Sequence, residues 1–300
     1  MITFFVCLAL LVTAYFTYGR YLERVCRIDP AAEVPSKRLC DGVDYVPMPL
    51  WRTFLIQLLN IAGIGPIFGA IMGACFGPVA FLWITFGGIF MGAMHDFISG
   101  VILVRNDGLS IPEIIGRYLG GGARSPASIL GEMIPAVSYW WWIAIIIIYY
   151  FVATLLPIDK IIGKIYPLFG AALIFMALGL LGVIVFGKYE VPEMTTFHNF
   201  QIDAHSLPII PTLFITIACG AISGFHATQS PLMARCVNNE RECRTVFYGA
   251  MIAESVIALI WATIAMAFFS GADGLAAALA EHGNNAAWVV NTVSTTTLGV

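Results

Sequence analysis

Residues 57–69 read QLLNIAGIGPIFG, and residues 218–231 read ACGAISGFHATQSP. Both stretches lie in apolar segments, yet glycine and proline interrupt them. Glycine relaxes the backbone and proline donates no N–H, so a helix is expected to break in each stretch. Unpaired backbone in a bilayer costs several kcal/mol unless it lines a cavity or finds partners. The paired breaks predict a solute site between two discontinuous helices, with close packing through small residues as the alternative.

The composition indicates a membrane protein and argues against nucleic acid as a partner. Hydrophobic residues make up 59% of the 300 and charged residues only 11%, whereas soluble domains carry about 25% charged residues. The net charge of −3 offers no basic face for phosphates. The seven cysteines include no CxxC pair, so neither a zinc ribbon nor a disulfide framework is expected.

The chain is predicted to be an all-α, polytopic transmembrane bundle in a single domain, residues 1–300. A helix needs about 20 apolar residues to cross a hydrocarbon core of about 30 Å. No basic residue precedes the first segment and no small-residue cleavage site ends it, so it is interpreted as an uncleaved span. The predicted spans lie near residues 2–18, 54–75, 79–104, 134–156, 165–186, 207–229 and 246–269.

The distribution of basic residues predicts which loops lie on each side of the membrane. Five of the fifteen Lys and Arg residues lie between Arg20 and Arg38, and three lie between Arg235 and Arg244. The positive-inside rule places these stretches in the cytoplasm. The N-terminus is then outside a cell inner (plasma) membrane, together with residues 189–205 and the residues after about 270.

Two features of the pattern point to absent helices. Arg124 and Lys160 both favour the cytoplasm, but only one convincing span lies between them, so one crossing is expected to be missing. Residues 284–300 resemble the start of a further helix without its end, so the chain is expected to be truncated.

The interrupted stretches supply the candidate substrate-binding residues. Backbone groups freed at a break, together with small polar side chains, suit a bound solute, and the partly positive ends of half-helices suit a carboxylate. The candidates are Asn60, Gly63, Gly65, Pro66, Gly220, Ser223 and Gly224.

Three further residues are candidates for carrying a coupled proton: His95, Asp96 and His226. The first two lie in or at the end of the third span, where an ionisable pair is costly and is a functional candidate by default. A pair at a helix end that braces Arg105 is an equally good interpretation. The sequence does not rank the three candidates.

Enzyme motifs are absent from the sequence: there is no HExxH, Walker A or paired-glycine nucleotide motif. The rival hypothesis is an intramembrane hydrolase centred on Ser223, but GAISG at residues 220–224 matches neither GxSG nor GxSxG. His198, Asp203 and His205 could hold a metal ion, although an ordinary polar loop is favoured. No metal, cofactor or catalytic residue is predicted.

Four motifs resemble those of the carbon starvation protein A (CstA) family. They are DGVDYVP at residues 41–47, IAGIGP at 61–66, GAMHDF at 92–97 and FITIACGAISGFH at 214–226. The tracts at residues 227–235 and 284–288 are similar to sequences of the shorter bacterial branch of that family. The whole chain resembles the N-terminal portion of such a protein.

The resemblance implies an inner-membrane uptake carrier linked to carbon starvation. It implies small peptides as substrates or, in some members, pyruvate with proton symport, and a five-helix inverted repeat in which the two broken helices are equivalent. Family members carry another helix between the counterparts of Arg117 and Asp159, and several more spans beyond Val300.

The predicted function is secondary-active, proton-coupled uptake of small peptides or a short carboxylate such as pyruvate. The expected partners are that solute, the proton and the lipid bilayer. The alternatives are the hydrolase centred on Ser223 and a truncated remnant that does not transport.

Overall fold

The computed structural model describes residues 1–119, 158–187, 189–195, 197–222 and 224–299, and these residues form helices and loops without a β-strand. The helices, with π-helical segments marked π, are α1 (Ile2–Phe16), α2 (Tyr18–Val25), α3 (Pro35–Arg38), α4 (Leu50–Ile61), α5 (Ile64–Ala74), α6 (Val79–Leu82), π1 (Trp83–Ala93), α7 (Met94–Arg105), α8 (Ile111–Leu119), α9 (Ile158–Phe186), π2 (Ile209–Leu213), α10 (Phe214–Thr216), α11 (Ala218–Ala221), α12 (His226–Ala234), π3 (Arg244–Gly249), α13 (Ala250–Phe268), α14 (Ala272–Glu281) and α15 (Ala286–Leu298).

Helix α13 forms the centre of the bundle. Its sequence is apolar apart from Glu254, Ser255 and Thr263, which are themselves buried, and a helix of that kind is stable when other helices surround it. It packs against α1, α4, α5, α9 and π1. Glycine permits the closest of these approaches, because a Cβ atom at Gly88 of π1 would lie 2.3 Å from Oγ of Ser255.

Within the described part of the chain, four continuous helical segments are long and apolar enough to cross a membrane: Ile2–Val25, Val79–Arg105, Leu168–Phe186 and Arg244–Phe268. Helices α4 and α5 pass the same test together as a pair bent by 50°. The expectation of a helical membrane bundle is confirmed. The expected span near 134–156 and the missing crossing after Arg117 lie outside the described residues.

The expected span at residues 207–229 is divided more finely than the sequence suggests. It consists of π2, α10 and α11, followed by a break and then α12. Proline at positions 208 and 211 supplies no N–H, and Ile210 has non-helical dihedrals (φ −107°, ψ 122°). Regular helix therefore begins only at Phe214.

The loops meet at two opposite ends of the bundle. At the first, here called the basic end, Nε of Arg105 donates to Glu240 over 2.8 Å and Nη1 of Arg244 donates to Glu23 over 3.0 Å. At the opposite end, the hydroxyl of Thr3 donates to Glu193 over 2.6 Å. The loops that the charge pattern assigned to one side of a membrane therefore lie together.

Candidate functional site

The first helix break separates α4 from α5. Ala62 follows the last residue of α4 with φ −80° and ψ 56°, and Gly63 precedes α5 with φ −74° and ψ −148°. Pro66 then lies in the first turn of α5, where its missing N–H costs no helical hydrogen bond. The sequence thus ends one helix and begins another within three residues.

The second break separates α11 from α12. Ile222 ends α11 with extended dihedrals (φ −147°, ψ 98°), and α12 begins at His226 after a turn at Gly224 and Phe225. Ser223, a candidate for solute binding and for hydrolysis, lies outside the described residues. The His226 side chain therefore projects from the first turn after the break.

The two breaks lie side by side. A Cβ atom at Gly63 would lie 4.0 Å from Cε2 of Phe225, and one at Gly220 would lie 3.8 Å from Cα of Pro66. The residues that precede α5 and α12 are therefore neighbours. Each helix N-terminus carries a partial positive charge of about half an elementary charge, and its first N–H groups have no partner within the helix. Two such ends together favour an anionic group between them.

The two helices leave the breaks in opposite directions. Helix α5 runs away from the basic end, toward Gly77, whose Cβ position lies 2.3 Å from the ring of Phe200. Helix α12 runs to the basic end, where Nε of Arg235 donates to the carbonyl of Gly108 over 3.1 Å. The N-termini of both helices consequently meet between the two ends of the bundle.

The candidate glycines have different surroundings. A Cβ at Gly220 would lie 3.1 Å from Cβ of Ala258, so this glycine allows close packing on α13. At Gly224, by contrast, no atom of the described residues lies within 4 Å of the Cβ position. The amide of Asn60 donates to the carbonyl of Ile56 over 2.8 Å, within its own helix. Of these candidates, Gly63 contacts the ring of Phe225 beside the other break, and Gly224 borders open space among the described residues.

The three proton candidates form one cluster. Nδ1 of His226 lies 3.0 Å from Oδ2 of Asp96, and both side chains are fully buried. Nδ1 of His95 lies 3.3 Å from Oδ1 of the same carboxylate, and 56% of this imidazole is exposed. The carboxylate therefore lies between a buried and an accessible imidazole. Asp96 is about 14 Å along the helix from Arg105, roughly mid-membrane.

Hydroxyl groups complete the surroundings of His226. Its Nε2 shares a hydrogen bond of 2.6 Å with Ser99, and its Nδ1 shares one of 2.7 Å with Ser230. The amide of Gln57, on α4, donates to Ser230 over 3.1 Å, and its buried oxygen has no partner among the described residues. The cluster therefore joins α7, α12 and the helix before the first break.

Sequence reasoning missed Ser99, Ser230 and Gln57. Ser99 follows Asp96 by three residues and Ser230 follows His226 by four, and these spacings put side chains on one helix face. That signal was available for both serines. No local signal connects Gln57 with Ser230, because their contact spans 173 residues.

The cluster can store a proton, and its donor set also resembles a metal site. One nitrogen or oxygen from each of His95, Asp96 and His226 lies within 4.8 Å of the other two, and transition metals accept imidazole and carboxylate ligands. A metal ion on Nδ1 of His226 would have to displace Ser230, because that nitrogen already shares a hydrogen bond with the serine. Hydroxyl contacts at both ring nitrogens favour a proton site.

The fold and the site define a helical membrane protein with two discontinuous helices around an internal histidine–carboxylate cluster. The sequence model described as carbon starvation protein CstA matches residues 1–137 and 127–300. The chain belongs to the CstA family. No solved structure matches it.

The similar proteins are membrane proteins and transporters by name. An "uncharacterized membrane protein" of Haemophilus influenzae is 39% identical, over 92% of this chain and 93% of its own length. The peptide transporter CstA of Bacillus subtilis is 27% identical, over 85% of this chain and 57% of its own length. The pyruvate/proton symporter BtsT of Escherichia coli is 26% identical, over 82% of this chain and 47% of its own length.

The chain spans about half the length of the two relatives with transporter names. The alignment with the Haemophilus influenzae protein runs over 348 residues, more than the 300 of this chain. That relative therefore has residues without a counterpart here. Transporter names fit the expectation that the chain is not an enzyme.

Proposed function

We propose that the protein takes part in secondary-active uptake of small peptides or a short carboxylate such as pyruvate, coupled to protons. We place it in the inner membrane with the N-terminus outside, as part of the response to carbon starvation. The observation that carries the proposal is the meeting of the N-termini of α5 and α12 beside the buried contact of His226 with Asp96.

The solute is held by its carboxylate. Small peptides and pyruvate share this group, and the two converging N-termini offer partial positive charge and N–H donors for it. Among the described residues, open space at Gly224 leaves room beside these donors. Asn60, Gly65, Pro66 and Ser223 complete the proposed binding region, and Gly220 contributes by letting α11 pack close to α13.

The proton is held by Asp96 and the two histidines. A fully buried carboxylate is costly to ionise unless a positive group lies beside it. Protonation of His226 therefore stabilises the ionised form of Asp96, and exposed His95 gives a route for exchange with water. A gradient of one pH unit is worth about 1.4 kcal/mol, enough for roughly tenfold accumulation of one solute per proton.

The names of the relatives support this choice of solutes. One relative is named a peptide transporter and another a pyruvate/proton symporter. A binding site for a carboxylate beside a proton site would suit both peptides and pyruvate as solutes. The hydrolase alternative depends on Ser223, and the ring nitrogens of His226, the nearest histidine in the sequence, share hydrogen bonds with Ser99 and Ser230.

Uptake by proteoliposomes tests the proposal. The purified chain is reconstituted, and labelled dialanine or pyruvate is added outside with and without an inward proton gradient. We expect uptake that rises with the gradient and is abolished by a protonophore. Uptake unchanged by the gradient would refute proton coupling, and absence of both uptake and binding would identify a non-transporting remnant. Uptake lost on chelation and restored by zinc would favour a metal site, and hydrolysis of the dipeptide would favour the enzyme.

A further inference from the structure

A pocket of about 370 Å³ at the basic end is lined mainly by arginine. Arg20, Arg24 and Arg27 come from α2 and the turn after it, whereas Arg241 and Arg244 come from the loop before π3 and its first residue. Positions 20 and 24 are four residues apart on α2, so their side chains lie on one helix face, and Arg27 follows in the turn after the helix. Two parts of the chain more than 200 residues apart therefore direct arginines into one pocket.

Charge in this pocket is unbalanced. Glu23 is the acidic residue of the pocket lining, and its Oε2 forms an ion pair with Nη1 of Arg244 at 3.0 Å. Arg244 is also held over the ring of Tyr15, with its Cζ 5.2 Å from the ring centroid. No ion pair engages the side chains of Arg20, Arg24, Arg27 and Arg241 within the described part of the chain. Four guanidinium groups are thus available to an anion.

The surroundings of the pocket are apolar on the side of α1 and α2. Phe16, Tyr21 and Val25 are each more than half exposed. They belong to the segment Ile2–Val25, which is apolar enough to cross a membrane and only 28% buried. Large apolar side chains on a membrane-spanning helix face lipid, so the pocket opens at the edge of the lipid layer.

We propose that this pocket binds the phosphate of an anionic phospholipid headgroup. Arginine forms paired N–H bonds to phosphate oxygens, and basic pockets at the cytoplasmic ends of membrane helices suit anionic headgroups. The acyl chains would lie along the exposed apolar face of α1. The same arginines would also accept a soluble phosphate compound, but the apolar rim favours a lipid. This proposal does not depend on transport activity.

Lipid binding to the purified full chain tests the proposal. Short-chain phosphatidylglycerol or phosphatidylcholine is titrated into the detergent-solubilised protein, and bound lipid is counted by native mass spectrometry. We expect phosphatidylglycerol to bind at least about tenfold more tightly than phosphatidylcholine. We expect this preference to be lost in the variant Arg20→Gln/Arg24→Gln.

The matched control is Lys37→Gln/Arg117→Gln, which removes the same charge at the same end but outside the pocket. It is expected to keep the preference, and thermal unfolding in phosphatidylcholine is expected to be the same for both variants. An equal loss of preference in the control would overturn the proposal, as would equal binding of both lipids by the unaltered chain. Displacement of phosphatidylglycerol by inorganic phosphate would assign the pocket to a soluble anion instead.

Discussion

At the scale of single residues, Asp96 has the most demanding position in the molecule. Its side chain is fully buried at roughly the middle of a membrane-spanning segment, with an imidazole on either side. An ionised carboxylate in such surroundings is costly unless a positive group lies beside it. His226, 3.0 Å away, is the side chain placed to supply that charge in the proposed coupling.

Replacing this carboxylate is expected to uncouple uptake from the proton gradient. In Asp96→Asn the volume is kept but no proton can be released, so gradient-driven uptake by proteoliposomes should fall to the level seen without a gradient. Asp44→Asn, in an exposed loop, is the matched control and should behave as the unaltered chain does. Full gradient dependence in Asp96→Asn would contradict the proposed role.

Glu240 connects the loops of the basic end. Burial acts to raise the pKa of its carboxyl group, but the hydrogen bonds from Arg105 and from the N–H of Asp29 outweigh burial, so its pKa lies below the ordinary value of 4.5. A carboxylate with a lowered pKa in the folded state stabilises that state above the unfolded pKa. The stabilisation is lost as the pH falls through the folded pKa.

The stability difference between the unaltered chain and Glu240→Gln should therefore depend on pH. We expect the unaltered chain to unfold at the higher temperature at neutral pH. That advantage should shrink as the pH is lowered from about 5 toward about 3. Thermal unfolding in detergent across this range measures it. An advantage that stays constant would show that the ionised form of Glu240 contributes nothing.

At the scale of helices, the sequence predicted the breaks well because their causes are local. Glycine with a permissive backbone acts at both breaks, at positions 63–65 and 220–224, and Pro66 without an N–H acts at the first, whereas Pro231 lies inside α12 without breaking it. The same local reasoning did not distinguish Gly220, which allows close helix packing, from Gly224, which borders open space among the described residues. That difference depends on Ala258, on a helix distant in sequence.

The joining of His226 to Asp96 could not be predicted from the sequence either. The two residues are 130 positions apart, and each alone is compatible with a helix-end residue or a packed core group. Their contact exists because the second break turns α12 so that its first turn meets α7. Tertiary packing, rather than any local pattern, makes this site.

A side chain at the second break is expected to block the solute while leaving the fold intact. Gly224→Val would extend into open space, since no atom of the described part of the chain lies within 4 Å of its Cβ position. We expect solute affinity to fall at least about tenfold, or ~1.4 kcal/mol. Gly182→Val on α9 is the matched control, because the Cβ position of Gly182 is equally open among the described residues but lies outside the proposed binding region. It should leave solute affinity unchanged. Equal uptake by both variants would place the solute elsewhere.

At the scale of the whole molecule, the bundle has two chemically different ends. Arg105, Arg244 and the loops around them meet at one end, and the N-terminus lies beside Glu193 at the other. The positive-inside rule then gives the expected orientation, with the basic end in the cytoplasm. The arginine-lined pocket would face the inner leaflet.

Thiol labelling in intact cells tests this orientation. Cys40 is an exposed free cysteine in the loop before α4, which begins at the basic end. We expect a membrane-impermeant maleimide to leave Cys40 unlabelled until the membrane is opened. A cysteine introduced as His205→Cys, in the opposite loop, should react in intact cells. Labelling of Cys40 from outside would reverse the proposed topology.

A solute between the two helix breaks would shield a cysteine placed there from labelling. The variant Phe225→Cys, with Cys26 and Cys40 replaced by serine, is labelled with maleimide in the presence and absence of pyruvate or dialanine. We expect labelling to be slowed about elevenfold when the transported solute is at ten times its Kd, while labelling of His205→Cys in the same background is unchanged. Unslowed labelling of Phe225→Cys while the solute is still taken up would show that the solute binds elsewhere.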